Sequence, residues 1–591
     1  MLGQRSPQRG LFDGDSLFLN DIPEDSFYVF LATHRDRLFN DEDFAALYSP
    51  DFGRPSVPPS LLGVALLLQC YDKTSDQEAC ERANFDVRWC CAMGVQLISA
   101  PFAKSTLQMF RAKLILNDKV GLIFQKSLEF ATESGFLKGR KVKVAVDTTP
   151  IFGAAAVKDT YNLLADGIRR VIYELVSRHL PSAEGWASGN GFSRYFGSSI
   201  KGQADVDWDD EASQREFLWG IVEDALDLLY LVDTLPSSEQ HGGLMAAAAV
   251  LRDLIGQDVE YDDYGPRIRR GVAKDRIVSA QDPDMRHGRK SAHQRFDGYK
   301  GAIAVDPESG IIMAVDVVPA GTHDGDTGLP LTEAVEQNTG CEVEETIGDA
   351  AYGDATTREE FAQAGRKIVA KVPTAKRSGQ IAKEEFEVDL EAGTCTCPAG
   401  QVTSDVRPAG TRTNRRGEVV TLTAFQFPAE ACGACPLQSS CTSSPNGRSI
   451  QIHSREMEIR QAREFQRSPE FKPYKQARQQ AEHGIARLAR LGIKKAKYRG
   501  ISKIRFQILI ASAVANLTLA VAAGYPNGPG TGATTGALLE IGLYIASVAI
   551  LAIYVSMRSC GSGVAVPLRY SRPLRMVASS RRWKAPFRLD F

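Results

Sequence analysis

The chain predicts an α/β fold preceded by an all-α domain. Residues 26 to 115 carry only helical patterns, whereas residues 141 to 373 alternate short apolar runs of period two with helical segments. A length of 591 residues and a hydrophobic fraction of 43% suit several globular domains, with room for long insertions in the α/β part.

In the helical part, "PPSLLGVALLLQCY" is a short, very apolar helix opened by Pro58 and Pro59. "SDQEACERANFDVRW" starts with Ser75 and Glu78 at capping-box spacing, and "KSTLQMFRAKLIL" follows Ser105 or Thr106 as cap. Two readings are open. One is a compact helical bundle. In the other, the last two helices form a helix-turn-helix that sets Lys104, Arg111 and Lys113 on DNA phosphates.

The first strand is "KVKVAVDTTP", with Val at 142, 144 and 146 and an expected end at Asp147. Residues 151 to 295 interrupt with mainly helical material and a polar loop containing "RHGRK". Two strands follow, "YKGAIAVD" and "GIIMAVDVVP", joined by the turn Pro307-Glu308-Ser309-Gly310. A helix near 328 to 338, the strand "EETIGD", a helix at 356 to 364 and the strand "RKIVAKVP" complete the set. Three strands able to form a meander, then two added through helical crossovers, is the order of an RNase H-like α/β core with large insertions.

In that fold the first and fourth strands are neighbours, so Asp147 and Asp349 emerge side by side. Two carboxylates in contact repel, and a divalent cation relieves them; Mg²⁺ takes one or two carboxylates plus phosphate oxygens. A third acid comes from "PYKQARQQAEHGIARLARLGIKKAKYRG", where Tyr474, Arg478 and Glu482 stand four apart on one helical face. Glu482 is the only acidic residue between 471 and 510. Two metals held by Asp147, Asp349 and Glu482 would serve a phosphodiester displacement. Asp354 reads instead as the N-cap of "ATTREEF". His293, His323 and the 286 to 290 loop are candidates beside the site or on DNA, against an exposed or capping role.

Net charge is −2, which excludes a uniformly basic protein, but residues 451 to 510 hold 15 Lys+Arg against 5 Asp+Glu, a local patch that suits a phosphate backbone. Five of the 11 cysteines, at 395, 397, 432, 435 and 441, fall in an insertion spanning 376 to 453. Cys397, Cys432, Cys435 and Cys441 make a reasonable four-thiolate zinc site, with an iron-sulfur centre or free thiols as alternatives. The opening "MLGQRSPQRGLFDGDSLF" has no continuous apolar core, so a cytoplasmic, nucleoid-associated protein is expected. Beyond a 524–536 linker, the tail 537–591 carries an apolar run at 541–557. It reads as a membrane anchor, a buried helix or, in the favoured reading, non-homologous sequence appended to the end.

"VAVDTTPIFGAAAVKDTYNLL", "FDGYKGAIAVD", "IGDAAYGD" and the Tyr/Arg/Glu helix with "KYRGISKIRFQILIASAVANL" together resemble a DDE transposase of bacterial insertion sequences. "GRPSVPPSLLGVALLLQCYDKTSDQEA" resembles the helical domain that precedes the catalytic domain there. The resemblance runs from about residue 25 to 522. It implies an N-terminal arm (1–25), a helical DNA-binding or dimerisation domain (26–135) and a catalytic domain (136–523). It implies that Asp147, Asp349 and Glu482 are an acidic triad using two Mg²⁺ or Mn²⁺ ions. Tyr474 and Arg478 then contact DNA near the cleavage point, with Lys495 and Lys497 on the backbone. Ala489 stands where the signature places a Lys, so Arg490 or Lys494 substitutes. The expected partners are terminal inverted repeats and target double-stranded DNA, held by a homodimer in a synaptic complex. The competing functions are a DNA-binding remnant without catalysis and a membrane-associated protein.

Overall fold

The computed structural model describes residues 1–6, 10–137, 139, 141–176, 182–290, 293–373, 381–413, 417, 419–452 and 456–524. The chain divides into two units, 1–531 and 532–591, and the second lies outside the described residues, as does the apolar run 541–557.

The main sheet has six strands: β1 Lys141–Phe152, β2 Arg286–Arg289, β3 Arg295–Val305, β4 Ile312–Pro319, β5 Glu342–Gly348 and β6 Ile368–Ala370. β3 pairs antiparallel with β1 on one edge and with β2 and β4 on the other. β5 joins β1 in parallel and β6 joins β5 in parallel, through crossovers carrying helices Gly328–Thr339 and Ala355–Gln363. The result is an RNase H-like α/β core.

Two details differ from expectation. β1 does not stop at Asp147: pairing continues from Asp147 opposite Ile303 to Phe152 opposite Gly298, so Asp147 lies inside the strand. The polar "RHGR" segment is not a loop but β2, because the extended end of β3 offers Arg295 to Gly298 as partners. Four polar residues carry no strand signal of their own; the partner strand supplies the structure.

The two sheet faces are covered differently. On β5, Glu345 meets Tyr474 of helix Lys472–Arg490, while the Thr346 hydroxyl lies 2.8 Å from that of Thr332 in helix Gly328–Thr339. Odd positions of β5 thus face the Lys472–Arg490 helix and even positions the crossover helix. Ahead of and including the Tyr/Arg/Glu face the chain forms two helices, Glu456–Arg467 and Lys472–Arg490. The break falls at the turn Pro469–Phe471 rather than at Pro473, which sits in the first turn of the second helix where its missing N–H costs nothing.

Helix Ile501–Ala522 joins two cores. Ile504, Ile508 and Ala515 pack into the sheet core, and Phe506, Ile510, Val514 and Leu517 into the N-terminal helices. By length and composition it could cross a membrane, yet 72% of its apolar window is buried within the protein. That burial identifies a core helix. Asn516 anchors it by pairing both the N–H (2.8 Å) and the C=O (2.9 Å) of Ile312 at the start of β4.

The N-terminal part is a bundle. Asp86 accepts from Arg88 N–H and splits the expected second helix into Asp76–Phe85 and Val87–Met93. The next helix starts only at Lys104, too far along for a tight helix-turn-helix. Arg111 is buried. It pairs with Asp76 and donates to the Tyr498 hydroxyl at 2.6 Å, so it fastens the bundle to the α/β part and is not at the surface where a DNA phosphate was expected to meet it. Lys113 lies over the Tyr48 ring at 4.0 Å, and Lys104 is exposed.

Between β1 and β2 the chain builds a separate helical body on helices Thr160–Val176, Glu211–Thr234 and Gly242–Asp258, with its own core. Residues 204 to 263 hold 16 Asp+Glu against 2 Lys+Arg. A phosphate backbone would be repelled there.

Candidate active site

The parallel register of β1 and β5 places Ala145 opposite Ile347, which sets Asp147 level with Asp349 on the same face, two residues further along each strand. Asp349 directly follows β5 and caps the short turn Ala350–Tyr352, its Oδ1 accepting from Ala351 N–H at 2.8 Å. Gly353 follows because nothing larger fits: a Cβ there would stand 1.8 Å from the Lys371 carbonyl oxygen. Asp354 then caps helix Ala355–Gln363 through Thr357 N–H at 2.9 Å. The two aspartates five residues apart have separate jobs.

Asp147 is held in an uncomfortable place. Burial pushes its carboxyl up to about 7, and the charges of Asp349 and Asp324 add to the rise; the Thr148 N–H and the Arg478 charge oppose it. Tyr352 lies buried in the same field of Asp147, Asp324 and Asp349, which with its burial holds its phenol neutral, 3.2 Å from the Thr327 hydroxyl. Asp324 itself is paired with Lys300 at 2.7 Å. Here is an acidic cluster where β1 runs past the C-terminal end of β5.

Glu482 stands apart from the pair. It is half exposed and bound to Arg478 at 2.7 Å, one helical turn away. Arg478 also acts on Asp147, so its guanidinium links the third acid to the first. Among the described residues, no three His, Cys, Asp or Glu side chains are set to share a metal ion. The donor set nonetheless suits a hard divalent cation: two carboxylates level with each other, the first driven toward its neutral form by burial and by the neighbouring acids.

The basic residues separate into inner and outer ones. Lys494 reaches the Thr149 hydroxyl on β1, half-buried, and its ammonium is pushed down by burial and by Lys290 but supported by Asp147. Phe152 donates to the Lys494 carbonyl at 2.9 Å and accepts from Ala496 N–H at 2.8 Å, so the segment 494–496 continues the sheet beside the end of β1. Alternation turns Lys494 inward and leaves Lys495 and Lys497 exposed, as is Arg490. The β2–β3 hairpin adds exposed Arg289, Lys290 and Arg295 nearby. Of the two expected substitutes for the signature Lys, Lys494 is the one at the carboxylates.

Tyr474 is not free for DNA. Its hydroxyl donates to Glu345 at 2.8 Å, with Lys143 over its ring at 5.1 Å, so it pins the start of the helix to the sheet. His293 is exposed, and His323 caps the turn Asp324–Thr327 through Gly325 N–H, 3.9 Å from Asp354. Sequence reading missed Thr149, Lys300, Asp324, Glu345 and Tyr352. Tyr352 lies inside the quoted "IGDAAYGD" and Asp324 directly follows His323, but only the fold brings their groups to Asp147.

Glu345 gives a checkable consequence. Burial alone would raise its carboxyl, yet bonds from Lys143 (2.7 Å), Lys367 and Tyr474 bring it down to about 2. A depressed folded value stabilises above the unfolded value of 4.5 and is lost as pH falls through about 2. Both lysines reach in from solvent, which limits the gain to roughly 2 kcal/mol. Glu345→Gln is therefore expected to lower thermal stability at pH 7 and to flatten its loss between pH 4.5 and 2, measured by thermal unfolding at a series of pH values.

An RNase H-like core that brings Asp147 and Asp349 level at the adjacent strands β1 and β5, with the Arg478/Glu482 helix against the sheet, agrees with the resemblance to DDE transposases. Residues 271–517 match the transposase DDE domain and residues 17–113 the transposase domain DUF772. Together the two matches are those of a DDE transposase of insertion-sequence type. The first match contains Asp349 and Glu482; Asp147 and the acidic helical body lie between the two. No curated protein matches the chain.

Proposed function

We propose that the protein cuts DNA at the ends of its mobile element and joins the freed ends to target DNA. The observation that carries this reading is the level placement of Asp147 and Asp349 on paired strands, inside a pocket that raises the first carboxyl to about 7. Asp147 and Asp349 would hold the divalent cations, with Glu482 as third ligand. Bound there, Mg²⁺ or Mn²⁺ lowers the pKa of an attacking water or 3′-hydroxyl and stabilises the leaving oxygen.

The chain's own groups do the rest. Arg478 and Lys494 place positive charge beside the carboxylates, where the scissile phosphate arrives. Arg478 is held by Glu482; a phosphate that draws the guanidinium away frees Glu482 toward the pair. Outside the pocket, Arg490, Lys495, Lys497 and the β2–β3 hairpin track the backbone of the terminal repeat, and the acidic helical body repels the duplex from its own surface. In the first step a water oxygen bonds to phosphorus and the P–O3′ bond breaks, leaving a 3′-hydroxyl. That hydroxyl attacks a target phosphodiester, exchanging one such bond for another. A homodimer holding two ends in the cytoplasm completes the proposal.

The test uses a supercoiled plasmid carrying the DNA that flanks the coding sequence on both sides. Mg²⁺-dependent nicking at the repeat ends and joined products are expected from the purified full chain. Specific binding without any cleavage in Mg²⁺ or Mn²⁺ would favour a DNA-binding remnant.

A further inference from the structure

Two insertions take no part in the phosphoryl chemistry above. In the second, Cys397, Cys432, Cys435 and Cys441 line one cavity but are not set to share a metal ion, so the expected zinc site is not assembled among the described residues. The first, the acidic helical body, presents a face that is left open.

That face belongs to helix Glu211–Thr234, whose other side is buried through Leu218, Ile221, Val222, Ala225 and Leu229. Outward, Trp219, Leu226 and Tyr230 follow one another at spacings of seven and four residues, so they form one stripe, and they are 42%, 48% and 72% exposed. Single exposed apolar residues are ordinary, but a row of large ones marks a contact surface. Trp219 is fixed from one side by the hairpin of strands Val259–Asp262 and Gly265–Ile268: a Cβ on Gly265 (φ +101°) would stand 2.1 Å from the indole. Between helix and hairpin lies a groove of about 800 Å³ lined by Trp219, Tyr264, Glu216 and Glu223.

The charge beside the stripe has one sign. Arg215 is taken by Glu211 (3.0 Å) and Asp262 (2.8 Å), and Arg194 by Asp224 (2.6 Å). Glu216, Glu223 and Asp227, exposed on the stripe's side of the helix, pair with no cation among the described residues. They are spaced about 10 Å and about 6 Å along the axis. An apolar row flanked by unpaired carboxylates repels DNA and fits its complement, cations around an apolar centre.

The chain carries such a surface itself. Phe152 is 51% exposed at the end of β1, its ring 6.0 Å from that of Phe296. Exposed Lys495 lies in the segment bonded to Phe152, exposed Arg295 precedes Phe296, and the Lys290 charge reaches Lys494 in that same segment. Both faces are open within one copy, so they do not satisfy each other there. We propose that, without DNA, the outward face of helix Glu211–Thr234 in one copy docks on the Phe152 surface of a second copy. Leu226 and Tyr230 then cover Phe152, and Glu216, Glu223 and Asp227 meet Lys290, Lys495 and Lys497. The carboxylates stand where phosphates would, so this contact and duplex DNA exclude one another, and paired copies are held off DNA until it displaces the contact. The inference rests on the assignment of Lys495 and Lys497 to DNA, and the pairing is separate from the two-end complex proposed above.

Unlabelled and heavy-isotope-labelled full chains, mixed without DNA, are treated with a carbodiimide, which joins a carboxylate to a lysine amine only where the two touch. At about 0.1 M salt, where charges act over about 10 Å, mass spectrometry is expected to find Glu216, Glu223 or Asp227 of one label linked to Lys290, Lys495 or Lys497 of the other. The links should vanish at about 1 M salt, where that range is about 3 Å, and when duplex DNA binds. Links within one label only, no links, or links that persist once duplex is seen to bind overturn the proposal. Leu226→Ser combined with Tyr230→Ser changes no charge and alters only exposed side chains. It should lose the mixed links and bind duplex of any sequence about twofold tighter or more, the factor set by occlusion of half the molecules. Retained links, or lost links with unchanged DNA affinity, also overturn it. Asp349→Asn should keep the mixed links whether or not the chain cleaves DNA, so this reading and the catalytic one fail separately.

Discussion

Asp147→Asn and Asp349→Asn are each expected to lower Mg²⁺-dependent cleavage of element-end DNA by about 10³-fold or more. The metals are asked to supply several kcal/mol of transition-state charge stabilisation, and each 1.36 kcal/mol is about tenfold in rate. Binding of the same DNA should persist, because the exposed cations that would track the backbone, Arg490, Lys495 and Lys497, lie outside the pocket. Stability gives the opposite sign. Asp147 is pushed to about 7 by burial and by Asp349, so removing its charge relieves repulsion, and Asp147→Asn should unfold at the same temperature or higher. A catalytic loss combined with unchanged or raised stability separates a ligand from a merely structural acid. Either variant at full rate sinks the assignment. Glu482→Gln sharpens it further: if that variant cleaves normally while the two Asp variants are dead, the third ligand is elsewhere, and Asp324, whose charge reaches Asp147, is next in line.

Arg111→Ala is expected to cost roughly 3 kcal/mol of stability without weakening DNA binding per folded molecule. Removing one partner of a buried ion pair typically costs about 3–5 kcal/mol. Gln69 (2.8 Å) and Gln108 (3.0 Å) still donate to Asp76, which puts the effect at the lower end. The bond to Tyr498 is lost as well, so the helical bundle and the catalytic part should come apart earlier in thermal unfolding. The contrast is the double variant Lys495→Ala, Lys497→Ala. Both side chains are exposed, so it should leave stability near wild type, weaken binding of all sequences alike, and reduce the salt slope by about one for each phosphate no longer neutralised. Normal stability with weaker binding in Arg111→Ala would return that residue to the DNA surface.

The contrast between Arg111 and Lys495 shows where sequence reading stops. On a helix, Arg111 has the spacing of a phosphate ligand, and nothing local marks its burial. Its environment comes from Tyr498, nearly four hundred residues away in the chain. Tyr474 is a similar case: as part of the Tyr/Arg/Glu helix it reads as a DNA ligand, but Glu345 on β5 claims its hydroxyl. Long polar side chains carry little information about which partner they will meet.

What the sequence determined by itself was the α/β order, the all-α domain ahead of it, and Asp354 as a helix cap, because period two, period 3.6 and capping are local properties of the chain. Strand order carried one step more, placing Asp147 and Asp349 on neighbours. Tertiary structure alone decided that β1 runs on to Phe152, that "RHGR" becomes a strand and that Lys494 turns inward while Lys495 and Lys497 turn out. Each of these depends on a partner contributed by another part of the chain, and pairing energy of that kind is written in no single segment.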